Sequence, residues 1–261
     1  MPTLPDERQA AILERLLRDG RVLAADLATA FDTSEDTIRR DLRDLAAAGR
    51  CRRVYGGALP ASPASGPLSR RTGIAPDAKR ALGRAAAALV TAGQTLLIDS
   101  GSTNMRVAEA LPVDLDLTVV TNAPSVAHAL AGRPRCCVVM LGGRIHPSIG
   151  GAFGARALRD LEGIRADLAF VGACGVAPDF GVSSFDAEEA EFKRRLIAVS
   201  ARVAVVATRD KLGTAAPFVV APVAALHDLV IEADVPDAAL AGFAGPGLHI
   251  HRAAALTTER R

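Results

Sequence analysis

The sequence predicts an α/β chain in two unequal parts: a small head of short helices, then a larger open, mostly parallel sheet covered by helices. Two patterns carry that expectation. From about residue 76 onward, apolar runs of strand length alternate with amphipathic stretches of helix length, as crossover-connected parallel strands require. Before residue 60, apolar residues recur at helical spacing in short blocks. With 261 residues, 49% of them hydrophobic, the chain can bury a sizeable core and divide into a small and a large domain.

The first block, from about Asp6 to Arg18, puts Ile12, Leu13, Leu16 and Leu17 on one face, and Asp19-Gly20 ends it. Arg21-Val22-Leu23 leads into a second short helix with Leu27, Ala28 and Phe31 inward, and Asp32-Thr33 is a tight turn. The third block starts at Ser34, whose side chain can cap the amide of Thr37, with Glu35 and Asp36 at the positive end of the helix dipole. Ile38, Leu42 and Leu45 make its apolar stripe. At about 100° per residue, Asp36, Arg40 and Arg43 fall on the opposite face. Two helices joined by a short turn, the second basic, are the helix-turn-helix arrangement, whose second helix enters the major groove. From there arginine reaches guanine or phosphate bidentately.

Gly49 is placed to end this helix, Arg50 to Val54 reads as a strand, and Tyr55-Gly56-Gly57 as a turn. A basic strand and glycine turn after the recognition helix suit a wing: glycine lets backbone approach the sugar-phosphate chain and Arg52 and Arg53 neutralise it. From Thr37 to Gly57 six arginines face two aspartates, a net charge of +4, while the whole chain carries +2. A polyanion should meet this region first. The expected DNA-contacting set is Ser34, Asp36, Thr37, Arg39, Arg40, Arg43, Arg52, Arg53, Tyr55, Gly56 and Gly57.

Arg8-x3-Ile12-x3-Leu16, Ser34-x2-Thr37-Ile38-Arg39-Arg40-Asp41-Leu42 and Arg53-Val54-Tyr55-Gly56-Gly57-Ala58 resemble the winged helix of the DeoR/GlpR family of bacterial transcriptional regulators. One departure is visible: Asp32-Thr33 stands where the family usually has Gly-Val. Aspartate tolerates the left-handed conformation better than most residues, so the turn is expected to survive.

Residues 1–59 are therefore expected to be a DNA-binding domain and 60–75 a linker. The linker has three prolines in the eight residues from Pro60 to Pro67 and no apolar periodicity, and reads as an exposed, semi-extended connector. Arg70 and Arg71 at its far end could touch DNA or the second domain. Residues 76–261 are expected to be a ligand-sensing and oligomerisation domain. Its strands are expected near 94–99, 117–121, 136–141, 167–172, 202–208, 228–231 and 248–251, its helices near 77–91, 102–110, 124–131, 153–162, 186–200 and 236–242.

In such sheets ligands bind at the carboxyl ends of the strands. Four loops fall there: Asp99-Ser100-Gly101-Ser102-Thr103-Asn104, Thr121-Asn122, Gly142-Gly143-Arg144 and Asp210-Lys211-Leu212-Gly213. Small hydroxylated residues and free amides at a helix start make a phosphate cradle, and Lys211 can supply a point charge. Asp186, with Glu188 and Glu189 behind it, can cap the helix that follows, or these carboxylates can accept hydroxyls of a polyol.

This half resembles the DeoR-family sensor domain, itself similar to ribose-5-phosphate isomerase. The resemblance implies a sugar phosphate or related phosphorylated metabolite as ligand. The positions implied are Asp99, Ser100, Gly101, Ser102, Thr103, Asn104, Thr121, Asn122, Gly142, Gly143, Asp186, Glu188, Glu189 and Lys211. Two departures stand out. Gly172-Ala173-Cys174-Gly175 replaces a GxDG-like segment, and Thr208-Arg209-Asp210-Lys211 replaces Asp-Ser-Ser-Lys. Isomerisation needs a carboxylate base at the carbon that loses its proton, and these departures remove or displace the candidates.

Cysteines 51, 136, 137 and 174 have no zinc-like spacing, and Cys136-Cys137 read as core residues. Neither a signal peptide nor an apolar run of membrane length is read, which makes a reducing cytoplasm the expected compartment. No metal or cofactor is expected. The function expected is a DNA-binding regulator, a repressor of carbohydrate metabolism released by a phosphorylated sugar. It is expected to act on double-stranded operator DNA as a dimer or higher homo-oligomer. The alternative is an isomerase-like enzyme with an appended nucleic-acid-binding domain.

Overall fold

The computed structural model describes residues 4–19, 21–60, 66–243 and 247–254, with only the backbone of Leu17. Gly20, the linker stretch 61–65 and the Leu17 side chain lie outside the described residues. The head runs α1 (Pro5–Asp19), β1 (Val22–Leu23), α2 (Ala24–Ala30), α3 (Glu35–Ala47), β2 (Cys51–Val54) and β3 (Gly57–Pro60). Its core is the one the periodicity gives: Ile12, Leu13 and Leu16 of α1 pack on Leu27 and Ala28 of α2 and on Ile38, Leu42 and Leu45 of α3. Ser34 caps α3, its Oγ accepting the Thr37 amide at 3.2 Å, and Asp32 takes the left-handed conformation at φ +48°.

The wing is more than a hairpin. β3 pairs with β2 and also with β1, in the order β1-β3-β2. This corrects the expectation for Gly57. It is buried and paired with Leu23, and a Cβ there would sit 1.9 Å from the Val22 carbonyl oxygen. Close strand packing, rather than approach to a duplex, demands this glycine.

The second half of the expected linker is folded. A short helix, α4 (Leu68–Thr72), hydrogen-bonds through the Leu68 amide to the Ser148 carbonyl at 2.7 Å. Arg71 donates to the carbonyls of Gly66 and Ile149, so residues 66–75 strap onto the larger domain.

The larger domain continues with α5 (Pro76–Ala87), β4 (Thr95–Ile98), α6 (Ser102–Ala110), β5 (Leu117–Thr121), α7 (Pro124–Leu130), β6 (Cys136–Met140), β7 (Arg144–Ile145), β8 (Ala152–Phe153), α8 (Ala155–Glu162) and β9 (Ala166–Val171). It then forms β10 (Gly175–Ala177), β11 (Gly181–Ser184), α9 (Ala187–Ala198), β12 (Ser200–Val206), β13 (Phe218–Ala221), β14 (Asp228–Glu232) and β15 (His249–Ala253). The stretch near 236–242 is a 3-10 helix, Asp237–Phe243.

Seven strands form one sheet in the order β15-β14-β12-β9-β4-β5-β6, and all their pairings are parallel. Alternate residues serve opposite faces. Leu96 and Ile98 face a core shared with α5, α6 and α7, whereas Leu97 faces one shared with α8 and α9. Strand order reverses between β4 and β9: the chain builds outward from β4 through β5 to β6, then returns to β9 and builds the other way. The crevice at such a reversal is where open α/β sheets bind ligands.

A small antiparallel sheet, β10-β11-β13, sits beyond the carboxyl ends, with β7-β8 as a separate hairpin. At the edge, β6 corrects the reading of its cysteines: Cys136 is half-buried and Cys137 exposed, as are Val139 and Met140. An edge strand has no neighbour on one side, and α8 and α9 do not extend over this one.

Candidate functional site

Two surfaces carry the polar chemistry. On the head, Asp36, Arg39, Arg40 and Arg43 are exposed on the side of α3 away from its buried stripe. Arg39 is held within its own helix, 2.7 Å from Glu35 and 3.7 Å from Asp36, whereas Arg40 and Arg43 lie open. Tyr55, the chain's single tyrosine, stands fully exposed beside Gly56 at the wing tip, with Arg53 also exposed. Asp41 leaves this surface: it is 3% exposed and takes a bidentate contact from Arg8 of α1, Nε at 2.5 Å and Nη2 at 3.2 Å. The exposed face of α3 is therefore more positive than a count over residues 37–57 suggests. Arg52 turns toward the larger domain, its Nη2 donating to the Pro217 carbonyl at 3.2 Å.

The second surface lies at the strand reversal. Ser100, Gly101, Ser102, Thr103 and Asn104 follow β4, Gly172 to Cys174 follow β9, and together they line a narrow crevice with Arg71, Glu189, Lys193 and Lys211. Gly172 has to be glycine because a Cβ would lie 2.7 Å from the Ser100 carbonyl oxygen. Adjoining the crevice, and sharing Arg71, Ser102 and Lys211 with it, is an open cavity of about 340 Å³ that adds Ile74, Lys79, Arg209, Asp210 and Glu232. The Thr103 hydroxyl is buried at the crevice with no hydrogen-bond partner.

Below the crevice lies a buried charge cluster. Lys193 is 2.6 Å from Glu189 and 3.6 Å from Asp99, and Ser184 donates to the other Glu189 oxygen. Burial alone would discharge the Lys193 ammonium, but the two carboxylates raise its pKa. Burial opposes ionisation of Glu189 too, yet Lys193 holds it lowered, while burial wins at Asp99 and raises it. Nearer the cavity the balance is cationic. Lys79, 4% exposed, donates to the Arg71 carbonyl at 2.5 Å. Burial, then the neighbouring Lys211, bring its pKa down to about 8 despite Asp210. Burial likewise lowers Lys211. An anion entering here would relieve several like charges at once.

Several expected ligand contacts serve as framework instead. Asp99 is fully buried, accepting the amides of Ser100 at 2.7 Å and Gly172 at 3.0 Å, and so ties β4 to β9. Asn104 spends its amide on the carbonyls of Asp99 and Phe170. Thr121 donates to the Ile98 carbonyl at 2.6 Å, and Asn122 supports the cradle from beneath by accepting the Ser100 amide at 3.1 Å. Gly142 and Gly143 lie outside the crevice. The Gly142 amide binds Asp160, and a Cβ on Gly143 would meet the Phe153 carbonyl oxygen at 2.4 Å. Asp186 caps α9, its Oδ1 accepting the Glu189 amide at 2.8 Å, and Glu188 pairs with Arg144 at 3.4 Å on the surface. The carboxylate that reaches the site is Glu189, one residue further on.

Glu189 was named with Asp186 and Glu188, and the lining residues that sequence reasoning did not select are Arg71, Lys79 and Lys193. A compositional signal pointed to two of them. The chain has 28 arginines and only three lysines, Lys79, Lys193 and Lys211, and all three line this one site.

Residues 74–233 match the model of the DeoR C terminal sensor domain and residues 8–64 that of the DeoR-like helix-turn-helix domain. Among similar proteins, a putative aga operon transcriptional repressor of Escherichia coli O157:H7 is 27% identical, with 94% of this chain and 92% of that one covered. The glycerol-3-phosphate regulon repressor of Escherichia coli (strain K12) is 33% identical over 79% of this chain and 82% of its own. A solved ribose 5 phosphate isomerase A from Neisseria gonorrhoeae is 18% identical over 51% of this chain and 52% of that one, with a TM-score of 0.38, too slight a likeness to speak to activity.

Proposed function

The chain belongs to the DeoR family of DNA-binding transcriptional regulators, and from that premise we propose that it represses a carbohydrate-metabolism operon until a phosphorylated metabolite fills its cationic cavity. It is a regulator rather than an enzyme, as its relatives' names are those of repressors. The observation that carries the effector reading is the surplus of positive charge, buried at Lys79 and half-buried at Arg71 and Lys211, at the strand reversal. Lys79, Lys211 and Arg71 converge there, with Asp210 the carboxylate acting on Lys79. A phosphate dianion supplies what is lacking, and the orphaned Thr103 hydroxyl, Ser102 and the amides at the start of α6 can donate to its oxygens.

In this reading residues 1–59 form the DNA-binding domain, 60–75 the connector and 76–261 the sensing and oligomerising domain. Arg40, Arg43, Arg53 and Tyr55 contact the duplex, joined by Arg52 once it leaves the Pro217 carbonyl, and Ser34, Asp36, Thr37 and Arg39 shape the start of the recognition helix beside it. Operators read by helix-turn-helix proteins mirror a two-fold axis, so the working unit is at least a dimer. Arg40→Ala should weaken operator binding and, for a lost phosphate contact, reduce the log–log salt slope by about 0.9. Unchanged affinity for the promoter fragment would rule against the assignment. Titrating phosphorylated sugars and glycerol 3-phosphate against the operator complex tests the effector, and the reading fails if none shifts either the complex or the melting temperature.

A further inference from the structure

We propose that the β10–β11 turn and the loop leading into β13 form a docking platform for the chain's own wing, and that duplex and platform compete for it. Leu59 of β3 is buried against Ala177 and Ala215, with Val54 of the wing and Phe180 of the β10–β11 turn packed around them. Arg21, just ahead of β1, pairs with Asp179 of the same turn at 2.6 Å. Arg52, one of the wing's arginines, is drawn off the DNA-facing surface onto the Pro217 carbonyl. Three kinds of contact, apolar, ionic and hydrogen-bonded, thus join the same two surfaces.

The contact is built to release. Arg52 keeps its Nε buried without a partner in the docked arrangement, and its Nη2 meets a neutral carbonyl where a phosphate would accept a charge-assisted, bidentate pair. The Arg21–Asp179 pair is solvent-exposed on both sides, the kind that contributes little. A cleft of about 780 Å³ opens beside the contact, lined by Arg18 and Asp19 of the head and by Pro236, Ala239 and Gly242 of the larger domain.

The platform is also continuous with the ligand site. Cys174, in the crevice, precedes β10 directly, and Lys211 precedes Ala215 by four residues. The two loops are tied together: the Gly213 amide donates to the Val176 carbonyl at 2.8 Å, and the Ala216 amide to the Ser183 hydroxyl at 2.9 Å. Whatever orders the loops around the crevice orders the surface on which Leu59 rests. This deepens the effector reading above, on which its regulatory meaning rests, but docking itself is testable without any effector.

The chain has no tryptophan, so Phe180→Trp places a single tryptophan, excited apart from Tyr55 at the red edge of its absorption, under the wing of the full-length protein. A labelled mixed-sequence duplex at low salt, where phosphate contacts dominate affinity, reports binding through its anisotropy. The expected result is a red shift of the tryptophan emission that tracks duplex occupancy. Phe180→Ala should bind the same duplex roughly threefold tighter, as expected if about a third of the free chain is undocked. Duplex saturation with unmoved emission, or no gain in affinity for Phe180→Ala, would overturn the proposal. A chain whose duplex anisotropy never rises would instead sink the reading of the head, and docking as a competitor with it.

Discussion

Asp41 shows how one residue's role depends on what lies behind it. In sequence it stands among the arginines of the recognition helix; in the fold it points inward to Arg8. Arg8→Ala leaves its carboxylate in a low-dielectric site, and removing one partner of such a pair costs about 3–5 kcal/mol. Urea unfolding of the full chain should register that loss. Arg8→Met with Asp41→Leu should restore most of it, because two apolar side chains leave no buried charge. Lys79 carries a pH signature. Its folded pKa, about 8, lies below the ordinary lysine value, so between about pH 8 and 10.5 the unfolded chain binds the extra proton. Its contribution to stability therefore rises with pH across that window and is lost as pH falls toward 8. Phosphate binding should show the opposite trend, weakening above about pH 8 as the free protein sheds the Lys79 charge. Calorimetric titration with inorganic phosphate on both sides of that value checks the sign, and Lys79→Met should flatten it.

Among the elements, α3 was legible in full. Its cap, its apolar stripe and its exposed arginines follow from spacings of three and four residues, which local geometry fixes. Ser34→Ala should cost about 1 kcal/mol by freeing the Thr37 amide, seen as a lower urea midpoint with an unchanged slope. The wing was legible only in part. Residues 51–54 announce a strand, but β1 is two residues long and its pairing with β3 comes from packing. Gly57 thus looked like a contact to the duplex when its neighbour is the Val22 carbonyl. The linker shows the same limit. Its prolines signal an extended chain, yet α4 folds because Ser148, some eighty residues away, supplies an acceptor. The exposure of β6 belongs here as well: apolar composition marked it as a strand, and only its place at the sheet edge left Cys137 and Val139 uncovered.

At the scale of the whole molecule, the proposed function ties operator and effector through one free-energy coupling. If the effector weakens operator binding by some factor, the operator must weaken effector binding by that same factor. Measuring effector affinity with and without saturating operator should return equal ratios, and unequal ratios would mean a further equilibrium, such as a change of oligomeric state. A saturating effector, at about a hundredfold excess over its dissociation constant, should stabilise the chain by about 2.7 kcal/mol.

The sequence alone determined the two-part plan, the parallel sheet, the basic helix α3 and the loop from Ser100 to Thr103 that opens α6. Each is written in spacings along one segment, and hydrophobic periodicity and helix-start chemistry act over a few residues. The tertiary structure decided which polar groups were left over to act. Asp99, Asn104, Thr121 and Asn122 stand in the expected loops but are spent on backbone groups of neighbouring strands, while Arg71, Lys79 and Lys193 arrive from helices outside those loops. Whether a donor is free depends on partners that only folding brings within hydrogen-bond distance, and that is settled in three dimensions.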